Sequence, residues 1–299
     1  MTNILITGGT GLIGQHLYHI LTKKGYKVLV LSRTKNENPT SFYWNIDKNY
    51  VDKQAIIQAD YIIHLAGANI AKKRWIKSRK QLLIDSRVKT ANLLFEAVKK
   101  WNPSLKGFIS ASGIGYYGAI TTTKNFTEED KPANDFISKI CVEWEKASNQ
   151  FKTLNIRTVI LRTGVVFAKK ESALQKIVMP IKFGFGSAIG TGKQFMPWIH
   201  INDLSNMYLH SIENKNITGI YNAVAPESVT NKALSKTIAT ILKKPFWLPN
   251  IPSFLFKLGF GEMAVILLKG SKISSEKIEK TGFKHQFKKL ETALNNLIN

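Results

Sequence analysis

Cysteine occurs once in the 299 residues, at Cys141, so the chain can form no internal disulfide and no multi-cysteine zinc site. No metal is expected. Long apolar runs are missing as well. The most apolar late stretch, Pro245 to Leu268, is broken by Pro249, Pro252, Lys257 and Glu262, and falls short of the about 20 clean apolar residues of a membrane span. A helical cover over a pocket, or plain core, is the expectation for it. The opening residues lack the basic region, apolar core and cleavage site of a secretory signal, and a cytoplasmic address is expected. Acidic residues are scarce, with 20 Asp and Glu against 43 Lys and Arg and a formal charge of +23. Arginine is scarce too, confined to Arg33, Arg74, Arg79, Arg87, Arg157 and Arg162. The excess charge is therefore lysine, spread along the chain among Asn and Ile, and no nucleic-acid-binding motif accompanies it. Nucleic acid and membrane are not expected as partners, whereas a field that steers an anionic cofactor or small-molecule substrate is.

What the sequence does contain is concentrated at its start. The apolar run Ile4 to Ile6 leads straight into Gly8, Gly11 and Gly14, after which Leu12 to Leu21 suits a helix and Lys27 to Leu31 a second strand. In a βαβ unit of this length the first glycine makes a tight turn. The second lets backbone approach a pyrophosphate, and the third lets the helix lie close to the sheet. The helix N-terminus adds free N–H groups and partial positive charge. NAD-specific proteins usually place a carboxylate at the end of the second strand, but this chain reads Leu31-Ser32-Arg33-Thr34-Lys35. Arg33 and Lys35 suit a 2′-phosphate, so NADP(H) is expected over NAD(H).

Further along, Tyr61 to Ala68 reads as a buried strand ending in small residues, Ser78 to Trp101 as a long helix, and Gly107 to Ser112 as another strand before the loop Gly113 to Gly118. Phe136 to Phe151 suits a helix and Arg157 to Leu161 a strand. His64, inside an apolar strand, is expected to be a core residue. The pattern predicts an α/β fold with a Rossmann-type doubly wound parallel sheet and a smaller C-terminal lobe. Residues 1–168 are expected to form the nucleotide-binding domain, with about 197–225 returning to it. Residues 169–299 are expected to form the substrate side, including a helical domain at about 245–299. With no low-complexity linker, the two halves are expected to share an extensive interface.

Several stretches together resemble the extended short-chain dehydrogenases/reductases, and within them an atypical subfamily usually labelled nucleoside-diphosphate-sugar epimerases. They are TGGTGLIG at Thr7 to Gly14, HLAGANI at His64 to Ile70, KRW at Lys73 to Trp75, DSR at Asp85 to Arg87 and SASGIGYYG at Ser110 to Gly118. LRTGVV at Leu161 to Val166, PWIHINDL at Pro197 to Leu204 and NAVAPESVTN at Asn222 to Asn231 continue the likeness. GEMA at Gly261 to Ala264 and LETAL at Leu290 to Leu294 are similar to that subfamily's short C-terminal domain of unknown function. The resemblance implies an NADP(H)-binding oxidoreductase or epimerase acting on a small hydroxyl or carbonyl compound, a nucleotide-linked one included. It also implies homodimers, which extended members often form. Motif and resemblance together give a cofactor set of Gly8, Thr10, Gly11, Leu12, Ile13, Gly14, Arg33, Thr34, Leu65, Ala66, Gly67, Ala68, Arg87, Ser110 and Thr163.

In the wider family a Tyr four residues before a Lys on one helix serves as acid/base, and a Ser or Thr orients the substrate oxygen. Aligning the Ser138-Lys139 pair puts Lys139 at the lysine position and Asp135 at the tyrosine position. One residue later the pair is Phe136 and Ile140. Counting back from Tyr117-Gly118 places the hydroxyl position on Gly113. The remaining catalytic candidates are Tyr116, Ser112 and Lys139, with Asp135 either a base of raised pKa or a helix N-cap. Substrate-side candidates are Arg162, Trp198, His200 and Asn202, the last three also fitting a strand-to-helix junction that caps and packs. A protein that binds NADP(H) without turnover, regulating a partner or reporting redox state, is the rival expectation.

Overall fold

The structure is a computed structural model that describes residues 1–34 and 38–298. Its strands are β1 (Asn3–Thr7), β2 (Lys27–Ser32), β3 (Ser41–Asn45), β4 (Tyr50–Val51), β5 (Tyr61–His64), β6 (Gly107–Gly113), β7 (Asn125–Phe126), β8 (Thr158–Thr163), β9 (Val165–Phe167), β10 (Trp198–His200), β11 (Gly219–Ala223) and β12 (Lys272–Ile273). The helices are α1 (Leu12–Lys23), α2 (Lys53–Ile57), α3 (Lys77–Trp101), α4 (Phe136–Asn149), α5 (Ala173–Lys182), α6 (Ile201–Glu213), α7 (Asn231–Ile241), α8 (Ser253–Phe260), α9 (Val265–Leu268), α10 (Glu276–Glu279) and α11 (Leu290–Ile298).

Eight strands form one sheet in the order β11-β8-β6-β5-β1-β2-β3-β4, parallel throughout except for the β3/β4 pair at its edge. The chain moves outward from β1 through β2 and β3, then crosses to the other side for β5, β6, β8 and β11. The switch between β1 and β5 opens the crevice in which doubly wound sheets hold their ligands. Alternation along β1 sends Ile4 and Ile6 to one face, with Leu17 and Leu21 of α1 and Leu204 and Met207 of α6. Leu5 goes to the other, with Leu94 and Val98 of α3. Because both faces are covered, the strands read as continuous apolar runs.

The expected strands and helices are present, with shorter ends where geometry turns. The run from Tyr61 stops pairing at His64, since Leu65 to Ala68 leave the sheet to border the crevice. The helix from Phe136 tightens after Asn149 into a 3₁₀ turn through Leu154. His64 is a core residue, as expected. Its Nδ1 meets the Thr7 hydroxyl at 2.8 Å, and burial pushes its pKa down to about 3.

A further core joins Phe167, Leu174, Trp198, Leu234, Ile238 and Leu294, and packs α5, α7 and α11 against β9 and β10, which pair as a separate two-stranded sheet. The stretch Pro245 to Leu268 meets its expectation of core only in part. Met263 and Ala264 are buried, but α8 buries none of its residues. The last segment is docked by its buried apolar side chains and also by polar contacts from α6. Asp203, wholly buried, accepts the Gln286 N–H at 2.8 Å and the Phe287 N–H at 2.9 Å through its two carboxylate oxygens. Removing the carboxylate strands two backbone donors, the Phe287 one in a buried bond and the Gln286 one in a half-buried bond. Asp203→Ala is expected to lower the free energy of unfolding by about 2–4 kcal/mol. Urea denaturation checks this, and an unchanged midpoint would mean the C-terminal segment is held by its apolar contacts alone.

Candidate functional site

The crevice is shaped by glycines that cannot be replaced without moving backbone. A Cβ on Gly8, whose φ is +72°, would stand 3.0 Å from the Leu65 carbonyl carbon, and one on Gly14 would stand 2.3 Å from the Gly8 oxygen. These contacts seat α1 hard against the end of β1, while Gly11 meets only the Gly8 oxygen and is otherwise open. The first bond of α1 runs from the Gln15 N–H to the Gly11 oxygen at 2.9 Å, so the earlier amides point out of the helix end. The β1 and β5 termini are joined through Thr7, whose hydroxyl oxygen accepts the N–H groups of Leu65 and Ala66, each at 3.2 Å. Thr10, Gly11 and Gly67 are exposed around this opening, and Gly8, Leu12, Ile13, Leu65, Ala66 and Ala68 are half-buried. Arg33 and Thr34 follow β2 and are exposed, whereas Lys35 lies outside the described residues.

Arg87 reaches the crevice from α3. A Cβ on Gly67 would come within 3.0 Å of the Arg87 guanidinium carbon, so the glycine makes room for the cation. The guanidinium lies over the Trp144 ring at 4.9 Å and donates to the Leu83 carbonyl at 2.8 Å. Its buried Nε has no acceptor among the described residues, and no carboxylate there pairs with it. Burial lowers its pKa to about 10. An unpaired, desolvated cation with a spare donor is a receptor for an anionic or hydroxyl-rich ligand. Glycine cradle, open helix end and Arg87 thus fit a dinucleotide. Ser110 and Thr163 do not join them. The buried Ser110 hydroxyl donates to the Ala111 carbonyl and accepts from Ser148, and the Thr163 hydroxyl donates back to the Leu161 carbonyl.

Beside the crevice, at the end of β6, a buried network takes up several of the expected catalytic groups. Glu145 of α4 accepts from Arg162 Nε at 2.8 Å and Nη2 at 2.9 Å, and from the Ser112 hydroxyl at 2.8 Å. Arg162 Nη1 donates to the Tyr117 hydroxyl at 3.0 Å, which donates to Asn222 Oδ1 at 2.7 Å. Burial alone would lower the Arg162 pKa, but the bonds and charge of Glu145 outweigh it and raise it. Burial likewise pushes the Tyr117 pKa up to about 12. Arg162, engaged through all three of its nitrogens, and Ser112 are thereby held in the network. Tyr116 is half-buried, its ring laid on the Arg162 guanidinium at 3.3 Å, and its hydroxyl makes no hydrogen bond among the described residues.

The helix register expected for the acid/base pair is not the one the structure adopts. Asp135 is the N-cap of α4, accepting from Ser138 N at 2.9 Å and Ala119 N at 2.6 Å. Lys139 is exposed and borders a surface hollow of about 360 Å³ with Trp75, Lys77 and Phe136. The residues turned toward the end of β6 are Ile137 and Cys141. A Cβ on Gly115 would lie 2.2 Å from Ile137 Cγ2, and one on Gly113 would lie 3.6 Å from Cys141 Sγ. Burial and then the Glu145 charge push the Cys141 pKa up to about 12. Ile137 packs with Trp75, Leu83 and Met263. The buried stripe Ile137, Ile140, Cys141, Trp144 and Ala147 has helical spacing, and following it rather than the Ser-Lys pair identifies this face. Glu145 was missed because nothing local marks a glutamate as buried.

Trp198, His200 and Asn202 take the second of their two readings, as junction residues. Trp198 is buried, stacks on Phe167 and donates to the Glu227 carbonyl at 3.1 Å. His200 caps α6 by accepting the Asn202 N–H at 3.1 Å, stacks on Phe287 at 3.8 Å and meets Asn296 Oδ1 at 3.1 Å. The Asn202 side chain is held by His16 Nε2 at 2.9 Å. Among the described residues no group of three or more His, Cys, Asp and Glu is placed to hold a metal.

Comparison with known proteins agrees with this geometry. Residues 4–223 match the NAD dependent epimerase/dehydratase family, and residues 251–297 match a domain of unknown function, DUF1731. The chain is 36% identical over 301 residues to the epimerase family protein YfhF of Bacillus subtilis, covering 99% of this chain and 98% of that one. The human epimerase family protein SDR39U1, whose crystal structure was solved with NADPH, superposes with a TM-score of 0.88 at 30% identity, covering 99% of each chain. The nucleoside-diphosphate sugar epimerase of Corynebacterium glutamicum superposes with a TM-score of 0.82 at 26% identity, covering 99% of this chain and 58% of that one.

The unpaired Arg87 cation gives an opposed pair of outcomes. Arg87→Met is expected to raise the thermal midpoint of the ligand-free protein, because a desolvated charge is removed, and to weaken NADPH binding about tenfold or more. Differential scanning fluorimetry and calorimetric titration read the two effects. A lower midpoint with unchanged binding would make Arg87 a packing residue.

Proposed function

The chain belongs to the NAD dependent epimerase/dehydratase family, and we propose that it binds NADP(H) at the β1/β5 switch without the Tyr–Lys proton relay of the wider family. The observation that carries this reading is the pair of side chains that α4 turns toward Gly113 and Gly115. Ile137 has no proton to give, and the Cys141 thiol, pushed up to about 12, holds its proton at neutral pH. Gly113 brings no hydroxyl, and the neighbouring Ser112 is committed to Glu145. The protein is thereby a nucleotide-binding member whose bound NADP(H) acts through occupancy or redox state on a partner, rather than an epimerase.

The residues divide the cofactor's length between them. The open end of α1 and Gly11 receive the pyrophosphate. Arg33, at a strand end that lacks a carboxylate, receives the 2′-phosphate, in keeping with the NADPH found in the human relative. Arg87, between Gly67 and Cys141, holds the ribose on the nicotinamide side, supplying from α3 the positive charge that α4 lacks there. The bound group supplies hydride chemistry. One observation favours a second reading, an oxidoreductase acting on a small carbonyl or hydroxyl compound, nucleotide sugars included. Tyr116 has a half-buried ring and a hydroxyl with no partner among the described residues, and this phenol is a proton source beside the same crevice.

Fluorescence titration is expected to show NADPH bound more tightly than NADH, with Arg33→Ala weakening NADPH about tenfold and leaving NADH unchanged. Binding of neither nucleotide would sink the reading. On the same sample, a panel of carbonyl compounds is expected to leave bound NADPH unoxidised. Turnover that Tyr116→Phe abolishes would replace the first reading with the second.

A further inference from the structure

The even spread of lysine along the sequence argues against a charged patch, yet the fold makes one by laying two acid-free stretches side by side. Neither residues 172–202 nor residues 228–261 contain an Asp or Glu, and together they carry eight lysines. They are joined directly. The Gly190 N–H donates to the Ile251 carbonyl at 2.9 Å, the Ile251 N–H donates to the Ala188 carbonyl at 2.9 Å, and a Cβ on Gly186 would stand 2.5 Å from the Pro245 oxygen.

Along this seam the apolar side chains point outward. Trp247 is 72% exposed, Leu258 75% and Phe183 69%, with Phe254, Phe185 and Met179 each more than half exposed. On α8, Phe254 and Leu258 are one turn apart and share a face, and no residue of that helix is buried. Lys182, Lys243, Lys244 and Lys257 are exposed among them. Lone exposed apolar residues are ordinary, but a joined set this large marks an interaction surface.

We propose that this face docks on an anionic lipid bilayer, with Trp247, Phe254 and Leu258 entering the interface and the four lysines meeting the headgroups. Charge selects the occupant: the nearest acid in sequence, Glu262, is paired with Lys80, and a surface with lysines in excess matches a negative surface potential and repels a second copy of itself. The attachment is peripheral, since no helix among the described residues is long and apolar enough to cross a membrane.

Sedimentation of the full chain with vesicles tests this, using phosphatidylcholine alone and a three-to-one mixture with phosphatidylglycerol. Binding to the mixed vesicles is expected to exceed that to neutral ones at least tenfold. W247S/F254S/L258S is expected to lose at least tenfold with an unchanged thermal midpoint. K243E/K244E is expected to lose more than K99E/K100E at the remote end of α3, which controls for net charge. Equal binding to both vesicle types, wild-type binding by the triple variant, or equal losses from the two lysine pairs would overturn the proposal. Concentration-dependent dimers in light scattering that the triple variant abolishes, without vesicle binding, would assign the face to a second copy and overturn it too.

Discussion

Burying a carboxylate beside a parallel sheet is costly unless its oxygens are matched by donors, and Glu145 is matched by three. Those donors come from Ser112 on β6 and Arg162 on β8, so α4 can sit at only one height against the sheet. Arg162 carries the constraint onward through Tyr117 to Asn222 on β11, and its flat face receives the Tyr116 ring. Helix, three strands and the loop after β6 thus share one polar knot. Removing one partner from such a pair typically costs about 3–5 kcal/mol, because the other charge is left stranded.

The same knot decides the chemistry of the neighbouring crevice. Ser112, Tyr117 and Arg162, each suited by type to a catalytic task, are consumed in holding the scaffold. The rotation that aims Glu145 at Arg162 also aims Cys141 and Ile137 at the end of β6, so an apolar pair stands there. Charge enters that space from the neighbouring helix α3, through Arg87, whose lack of a carboxylate partner among the described residues contrasts with the ion-paired Arg162. One arginine is spent on structure, and the other keeps donors for a ligand.

The C-terminal half is governed by a comparable division. His200 and Asn202 are substrate-side candidates in the sequence, but with Asp203 they secure the last segment and the first turn of α6 by hydrogen bonds to backbone and to one another. With the end of the chain anchored from α6, α8 need not bury its own apolar side chains. They stay at the surface beside lysines that form no ion pair among the described residues.

The βαβ unit, the doubly wound sheet, the glycine cradle and the absence of a carboxylate after β2 were all legible in the sequence, because each is set by residues close together in the chain. Turn chemistry, period-two burial and glycine contacts are local matters. The partners of Glu145, the outward turn of Lys139, the isolation of Arg87 and the joining of two acid-free stretches were not legible. Each depends on which residues far apart in sequence meet in space, and that is decided by the packing of α4, α6 and the lobe rather than by any local preference. Sequence alone determined that this chain is built to hold a dinucleotide; only tertiary structure decided which of its polar groups stay free to act on one, since a side chain's availability depends on the partners that folding brings to it.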